Sequence, residues 1–168
     1  LLSILITGGL HEDGLADTCD GFGGGWSKEK IVSIMKDSAT GVYGAIAMVM
    51  VLLFKFSLLS ESAASQIPFL LIAAHSLSRF IAITFMYTHE YVRADENSKA
   101  KNVSKKMSVP ALLIAMLFGL APLLLFQNAI VVLVCIPLLL IKWLLGRYFS
   151  KWIGGYTGDC LGATQQIS

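Results

Sequence analysis

The chain has 168 residues, of which 55% are hydrophobic and 14% charged, with a mean hydropathy of +0.70. An ordinary soluble domain carries about 25% charge, and a chain this short cannot hide so much apolar surface inside itself. A soluble globular domain is therefore excluded, and a bilayer must cover the remainder. The net charge of +2 lacks the dense basic stripe that a phosphate backbone requires, which argues against nucleic acid as a partner. Cys19, Cys135 and Cys160 lie far apart with no CxxC pair, so neither a disulfide framework nor a thiolate zinc site is indicated.

Residues 1–7 are apolar without a basic leader and read as the last turns of a membrane helix, so further segments are expected beyond both ends of the chain. Residues 8–21 follow, with four carboxylates and a histidine (His11, Glu12, Asp13, Asp17, Asp20) inside ten residues and no interleaved lysine. In a helix Asp13, Asp17 and Asp20 stand at i, i+4 and i+7 and share one face. Like charges so placed repel unless a cation lies between them. Carboxylates without thiolates suit a hard ion, and Mg²⁺ in particular is held by few carboxylates together with substrate phosphates. The alternative, a solvated acidic turn, is the commoner fate of a charge cluster. The three aspartates in register and the flanking glycines favour a metal-diphosphate site. His11 is a candidate general base, metal ligand or partner of an aspartate.

Residues 27–37 predict a short amphipathic interfacial helix, with Ser27 as N-cap and Ile31, Ile34 and Met35 on its apolar side. Asp37 and Ser38 precede the first full span, where Asp37 is either another carboxylate of the site or a helix cap. Apolar runs predict spans over 41–60, 66–87, 109–126 and 129–145. Inside the second of these, His75 and Arg79 stand four apart on one face, where ionisable groups are candidates for function. Lys55 and Lys142 read as snorkelling residues. After the last span, Gly154, Gly155, Thr157, Gly158, Asp159 and Gly162 form a glycine-rich segment that can present backbone N–H groups to phosphate or, through Gly158 and Gly162, let helices approach closely.

Ten of the thirteen Lys and Arg residues fall on connections of one parity, namely Lys28, Lys30, Lys36, Arg93, Lys99, Lys101, Lys105, Lys106, Arg147 and Lys151. The positive-inside rule puts those connections in the cytoplasm, so residues 8–40 and 146–166 share the cytoplasmic face and can build one site. The fold class expected is all-α, a polytopic helical bundle in the membrane with cytoplasmic-side site loops and the one interfacial helix.

The run GGLHEDGLADTCDGFGGG, then IMKDSATGVYG and GGYTGDCLGA, in this order and with Ser78-Arg79 between them, closely resembles the cobalamin synthase family. Ala39 stands where the family's DSR-type motif usually carries arginine. The resemblance implies that adenosylcobinamide-GDP and α-ribazole, or its 5′-phosphate, are the substrates and that GMP is released with Mg²⁺ present. Laid on this sequence, it implies Asp13, Asp17, Asp20, Asp159 and Asp37 around the metal, and Asp20 or His11 as the proton acceptor. Arg79 would face the leaving phosphate, and Gly155, Thr157, Gly158 and Ser38 would contact the substrate. It further implies a bacterial inner-membrane protein with its site toward the cytoplasm, and the bilayer, a second copy or other corrinoid-assembly enzymes as partners. A CDP-alcohol phosphotransferase-like enzyme and a transporter are the alternatives. The first usually has arginine where this chain has Asp17, and the second expects ionisable groups at mid-membrane.

Overall fold

A computed structural model describes residues 2–92 and 106–168, so the expectations resting on Arg93, Lys99, Lys101 and Lys105 lie outside the described residues. The described residues form helices and no strand: α1 (Leu2–Thr7), α2 (Leu10–Gly24), α3 (Lys28–Met35), α4 (Val42–Ser60), α5 (Ile67–Thr88), α6 (Val109–Leu120), α7 (Cys135–Ile153) and α8 (Gly158–Ile167). Two 3₁₀ segments, Ala121–Phe126 and Ala129–Val134, extend α6 and lead into α7. Pro122 sits in the first turn of the former, where its missing N–H breaks the α ladder and the chain tightens to 3₁₀.

Four of these stretches are long and apolar enough to cross a membrane: Val42–Ser60, Ile67–Thr88, Val109–Phe126 and Ala129–Ile153, with mean hydropathies of 2.2, 1.7, 2.5 and 2.6. Their outer faces stay apolar and uncovered, with Phe56 72%, Leu117 65% and Leu124 81% exposed, as surfaces solvated by lipid must be. The chain is therefore an all-α polytopic membrane bundle. The last span runs past Leu145 to Ile153, because Gly146, Phe149 and Ile153 keep the buried stripe going at i, i+3 and i+7. Arg147 and Lys151 thus ride on the closing turns of α7, and helix rather than connection carries them.

Much of the two polar segments is also helical. The expected amphipathic helix forms as α3, with the Ser27 hydroxyl accepting from Lys30 N–H at 3.3 Å and with Ile31 and Met35 buried. These two join Phe85, Phe149, Ile153, Tyr156 and Cys160 in one core, which ties α3, α5, α7 and α8 together. A second core of Leu77, Ile81, Leu123 and Leu138 holds α5 against α7 and the 3₁₀ segment after α6. Helix α7 closes on Gly154 at φ 83°, a left-handed conformation that glycine adopts without strain.

The chain then pairs with residues 90–92: Tyr156 N–H donates to the Glu90 carbonyl at 3.0 Å, and Val92 N–H to the Tyr156 carbonyl at 2.8 Å. Gly155 lies flat against this pairing, and a Cβ there would stand 2.1 Å from the Glu90 carbonyl oxygen. Backbone cannot yield as a side chain can. Gly155→Ala is therefore expected to destabilise the protein by about 3 kcal/mol, the upper range for overpacking, seen as a lower apparent Tm in detergent. An unchanged Tm would show that the pairing is dispensable.

Candidate functional site

Helix α2 carries the acids and makes its most extensive contact with α8, running antiparallel to it. The glycines explain the closeness. A Cβ on Gly14 would stand 3.0 Å from the Asp159 carbonyl oxygen, and one on Gly162 would stand 3.1 Å from that of His11. Backbone thus rests on backbone, and Asp159, at the start of α8, sits beside Asp13 and Asp17 one turn apart on α2. Of the expected GxxxG pair only Gly162 makes the contact, since Gly158 has open space around it. Thr157 caps α8, its hydroxyl accepting from Cys160 N–H at 3.3 Å and donating toward Asp159 Oδ2 at 3.4 Å.

The electrostatics register this crowding. Partial burial, and then the charges of Asp13, Asp159 and Asp20, push Asp17 up to about 6. Asp159 is also raised, by burial first and then by Asp13, against the opposing hydrogen bonds of its own backbone and Thr157. Every charge acting on Asp17 is thus another carboxylate. As they stand, no three of the described His, Cys, Asp or Glu side chains converge tightly enough to ligate one ion. The donor set nonetheless fits Mg²⁺, which takes one or two carboxylates and completes its shell with water and substrate phosphates.

Asp20 has an architectural role. It is 7% exposed, its Oδ2 accepts from Gly41 N–H at 2.6 Å and its Oδ1 from Gly44 N–H at 2.9 Å. It therefore caps α4 across 21 residues of sequence, where an anion also favours the helix dipole. Gly44 lets α4 come in, since a Cβ there would stand 2.4 Å from Asp20 Oδ2 and 2.8 Å from the Ala16 carbonyl oxygen. The acidic face consequently lies on a helix packed alongside the first turns of a membrane-length helix, and not in a loop beyond it.

His11 and Arg79 are brought together. Burial and then the Arg79 guanidinium lower the His11 imidazole, with Glu12 opposing. Arg79 Nη1 donates to the His75 carbonyl at 3.1 Å and lies 3.2 Å from His75 Nδ1, which fixes its direction on α5. Asp37 and Ser38 stand apart: both are exposed, Asp37 Oδ1 accepts from Ala39 N–H at 3.2 Å, and Asp37 is not among the charges acting on Asp17. Of the glycine-rich residues expected to meet substrate, Gly155 is engaged by Glu90 and Thr157 by its cap, while Gly158 is exposed beside Asp159.

Sequence spacing did not reveal a chain through residues 12, 55 and 166. Lys55 Nζ donates to Gln166 Oε1, and Gln166 Nε2 donates to Glu12 Oε1 at 3.0 Å. The other Glu12 oxygen is buried without a partner among the described residues. The one available signal was a lysine inside an apolar run. Gln166→Leu removes the donor to Glu12 Oε1 and the acceptor of Lys55 Nζ and is expected to cost about 1–3 kcal/mol, read as a lower apparent Tm. A Tm unchanged by it would mean that the chain carries no stability.

Residues 1–168 match the family described as CobS, cobalamin-5-phosphate synthase. The chain is 50% identical to the adenosylcobinamide-GDP ribazoletransferase of Ralstonia pickettii (strain 12J) over 98% of its own length and 64% of that protein. It is 46% identical to the proteins of that name from Shewanella piezotolerans (strain WP3 / JCM 13877) and Shewanella frigidimarina (strain NCIMB 400), over 100% and 98% of this chain. It spans 66% and 64% of those two relatives. No solved structure matches the chain.

Proposed function

Because this chain belongs to the CobS, cobalamin-5-phosphate synthase, family, we propose that its protein transfers the adenosylcobinamide phosphate group from adenosylcobinamide-GDP to α-ribazole or its 5′-phosphate and releases GMP. The observation that carries the chemistry is the α2–α8 carboxylate cluster, in which partial burial and then the neighbouring carboxylates raise Asp17 to about 6. In this reaction a ribose hydroxyl oxygen that is free in both forms of the acceptor attacks the phosphorus attached to the cobinamide, the bond from that phosphorus to the bridging oxygen breaks, and GMP leaves with the bond's electrons. The hydroxyl proton passes to a base. Such a transfer needs alignment and charge neutralisation far more than covalent help from the protein.

Asp17 and Asp159 would hold Mg²⁺ at the diphosphate, with Asp13 adding its charge beside them and water and substrate phosphates completing the shell, and the bound ion supplies charge neutralisation there. Asp20 would stand behind them, fixing α2 to α4. Since both Asp20 oxygens hold backbone N–H groups, His11 is the proton acceptor in this proposal. Arg79, aimed by His75 and facing His11, would stabilise the leaving phosphate. Asp37 and Ser38 stay outside the cluster. The Lys and Arg distribution supports a site on the cytoplasmic side of the inner membrane. The family match does not favour a CDP-alcohol phosphotransferase or a transporter.

The test uses the full-length protein in nanodiscs with adenosylcobinamide-GDP, α-ribazole and Mg²⁺, following GMP and cobalamin by chromatography. Equal amounts of both products are expected. Folded protein that makes neither product, yet acts on a CDP-linked alcohol, would overturn the proposal.

A further inference from the structure

The closing turns of α7 carry a second feature, remote from the acids and outside the proposed reaction. Trp143, Arg147 and Lys151 recur at i, i+4 and i+8, and Leu144 and Tyr148 flank them one position on, so all five lie within about 140° of the helix surface. Together they line a shallow depression of about 430 Å³. The opposite side of the same turns, Gly146, Phe149 and Ile153, is buried in the bundle, so this stripe is the outward face. Trp143 is 52% exposed and Tyr148 43%.

The two cations have no carboxylate within ion-pair distance among the described residues. Rings hold them instead: the Arg147 guanidinium lies 4.9 Å from the Trp143 ring centre, and the Lys151 ammonium 5.7 Å from that of Trp152. An arginine pre-set on an aromatic face keeps its outward N–H fork free for a bidentate anion. The level is also telling. These residues end a 25-residue apolar stretch, Ala129–Ile153, where a span meets the headgroups and where Trp, Tyr, Arg and Lys anchor. Apolar wall below and cations above match one amphipathic anion.

We propose that this face of α7 is a seat for an anionic phospholipid, its phosphate between Arg147 and Lys151 and its acyl chain along Trp143 and Leu144. A zwitterionic headgroup brings its own cation to the same level and is bound less well. Two basic residues at an anionic surface correspond to roughly a thirtyfold preference at low ionic strength, and the preference weakens with salt.

The full-length protein is reconstituted in vesicles containing phosphatidylglycerol or phosphatidylcholine brominated on the acyl chain, and tryptophan quenching is followed against the mole fraction of brominated lipid. The part of the quenching that Trp143→Phe removes reports the seat. Brominated phosphatidylglycerol is expected to quench that part roughly thirtyfold more effectively at low salt. The double variant R147Q/K151Q should bring the two lipids level, while R147K/K151R, with the same helix content by circular dichroism, keeps the preference. Equal quenching in the parent protein would overturn the proposal, as would a preference untouched by R147Q/K151Q. Absence of quenching by either lipid would do so too, since it would mean that protein covers the face.

Discussion

Asp17→Asn is expected to abolish transfer while leaving the protein better folded. Activity should fall on the order of 10²–10³-fold, the loss seen when one preorganised group that stabilises developing charge is removed. The gain in stability follows from the same geometry. Partial burial and the charges of Asp13, Asp159 and Asp20 hold Asp17 near 6 against a starting value of 3.8, so at neutral pH the folded chain carries a carboxylate that its surroundings oppose. Asparagine keeps the shape and removes the charge. Apparent Tm in metal-free detergent at pH 7 should therefore rise for Asp17→Asn, with the sign of a site built for a cation and strained without one.

The pH dependence has the matching sign. Between about 3.8 and 6 the folded chain holds a proton on Asp17 that the unfolded chain has released, so stability falls as pH rises through that window and levels above it. Mg²⁺ should reverse the loss at pH 7. One ion binding only the folded state at a hundred times its Kd contributes about 2.7 kcal/mol. A Tm that is unmoved by Mg²⁺ and lower in Asp17→Asn would show the cluster to be structural.

Asp20→Ala should have the opposite effect on stability, although it lies only three residues further along α2. Its two oxygens accept from Gly41 and Gly44 at 2.6 and 2.9 Å in a pocket where the residue is 7% exposed. Alanine leaves two N–H groups at the start of α4 without partners and opens the joint between α2 and α4. Charge-assisted bonds of this kind and the loss of a cap together suggest about 3 kcal/mol. Asp20→Asn offers one acceptor oxygen where two are needed and should fall midway. Apparent Tm of the detergent-solubilised protein measures both variants. An Asp20→Ala protein as stable as the parent would remove the capping role and return Asp20 to the metal-binding candidates.

The contrast between these two aspartates shows where sequence reading stops. Composition and run length make the membrane helices legible, since an apolar stretch of such length has few other fates. Ser27 before an amphipathic stretch announces α3, and the 3.6-residue period puts Asp13, Asp17 and Asp20 in register. What the period cannot supply is the partner across the bundle. That Asp20 holds Gly41 and Gly44, that Asp159 rather than Asp37 joins the acids, and that Lys55 reaches Glu12 through Gln166 all depend on how α2 lies between α4 and α8. Glycine was ambiguous for a related reason. Gly14, Gly44 and Gly162 serve close helix contacts and Gly155 a backbone pairing, whereas a glycine-rich stretch in sequence suggests loop. The continuation of α7 was hidden by Arg147 and Lys151, whose charges mask a buried stripe on the far side of the same turns.

The most direct test of the central claim, that carboxylates of α2 and α8 form one divalent-metal site for a diphosphate, is a titration of Mn²⁺ into the full-length protein. Free ion is counted by electron paramagnetic resonance with and without adenosylcobinamide-GDP. Tight binding that strengthens with the substrate, disappears in Asp17→Asn and Asp159→Asn, and survives in Asp37→Asn is the predicted result. Binding that persists in Asp17→Asn and Asp159→Asn, or that is lost in Asp37→Asn alone, would contradict it.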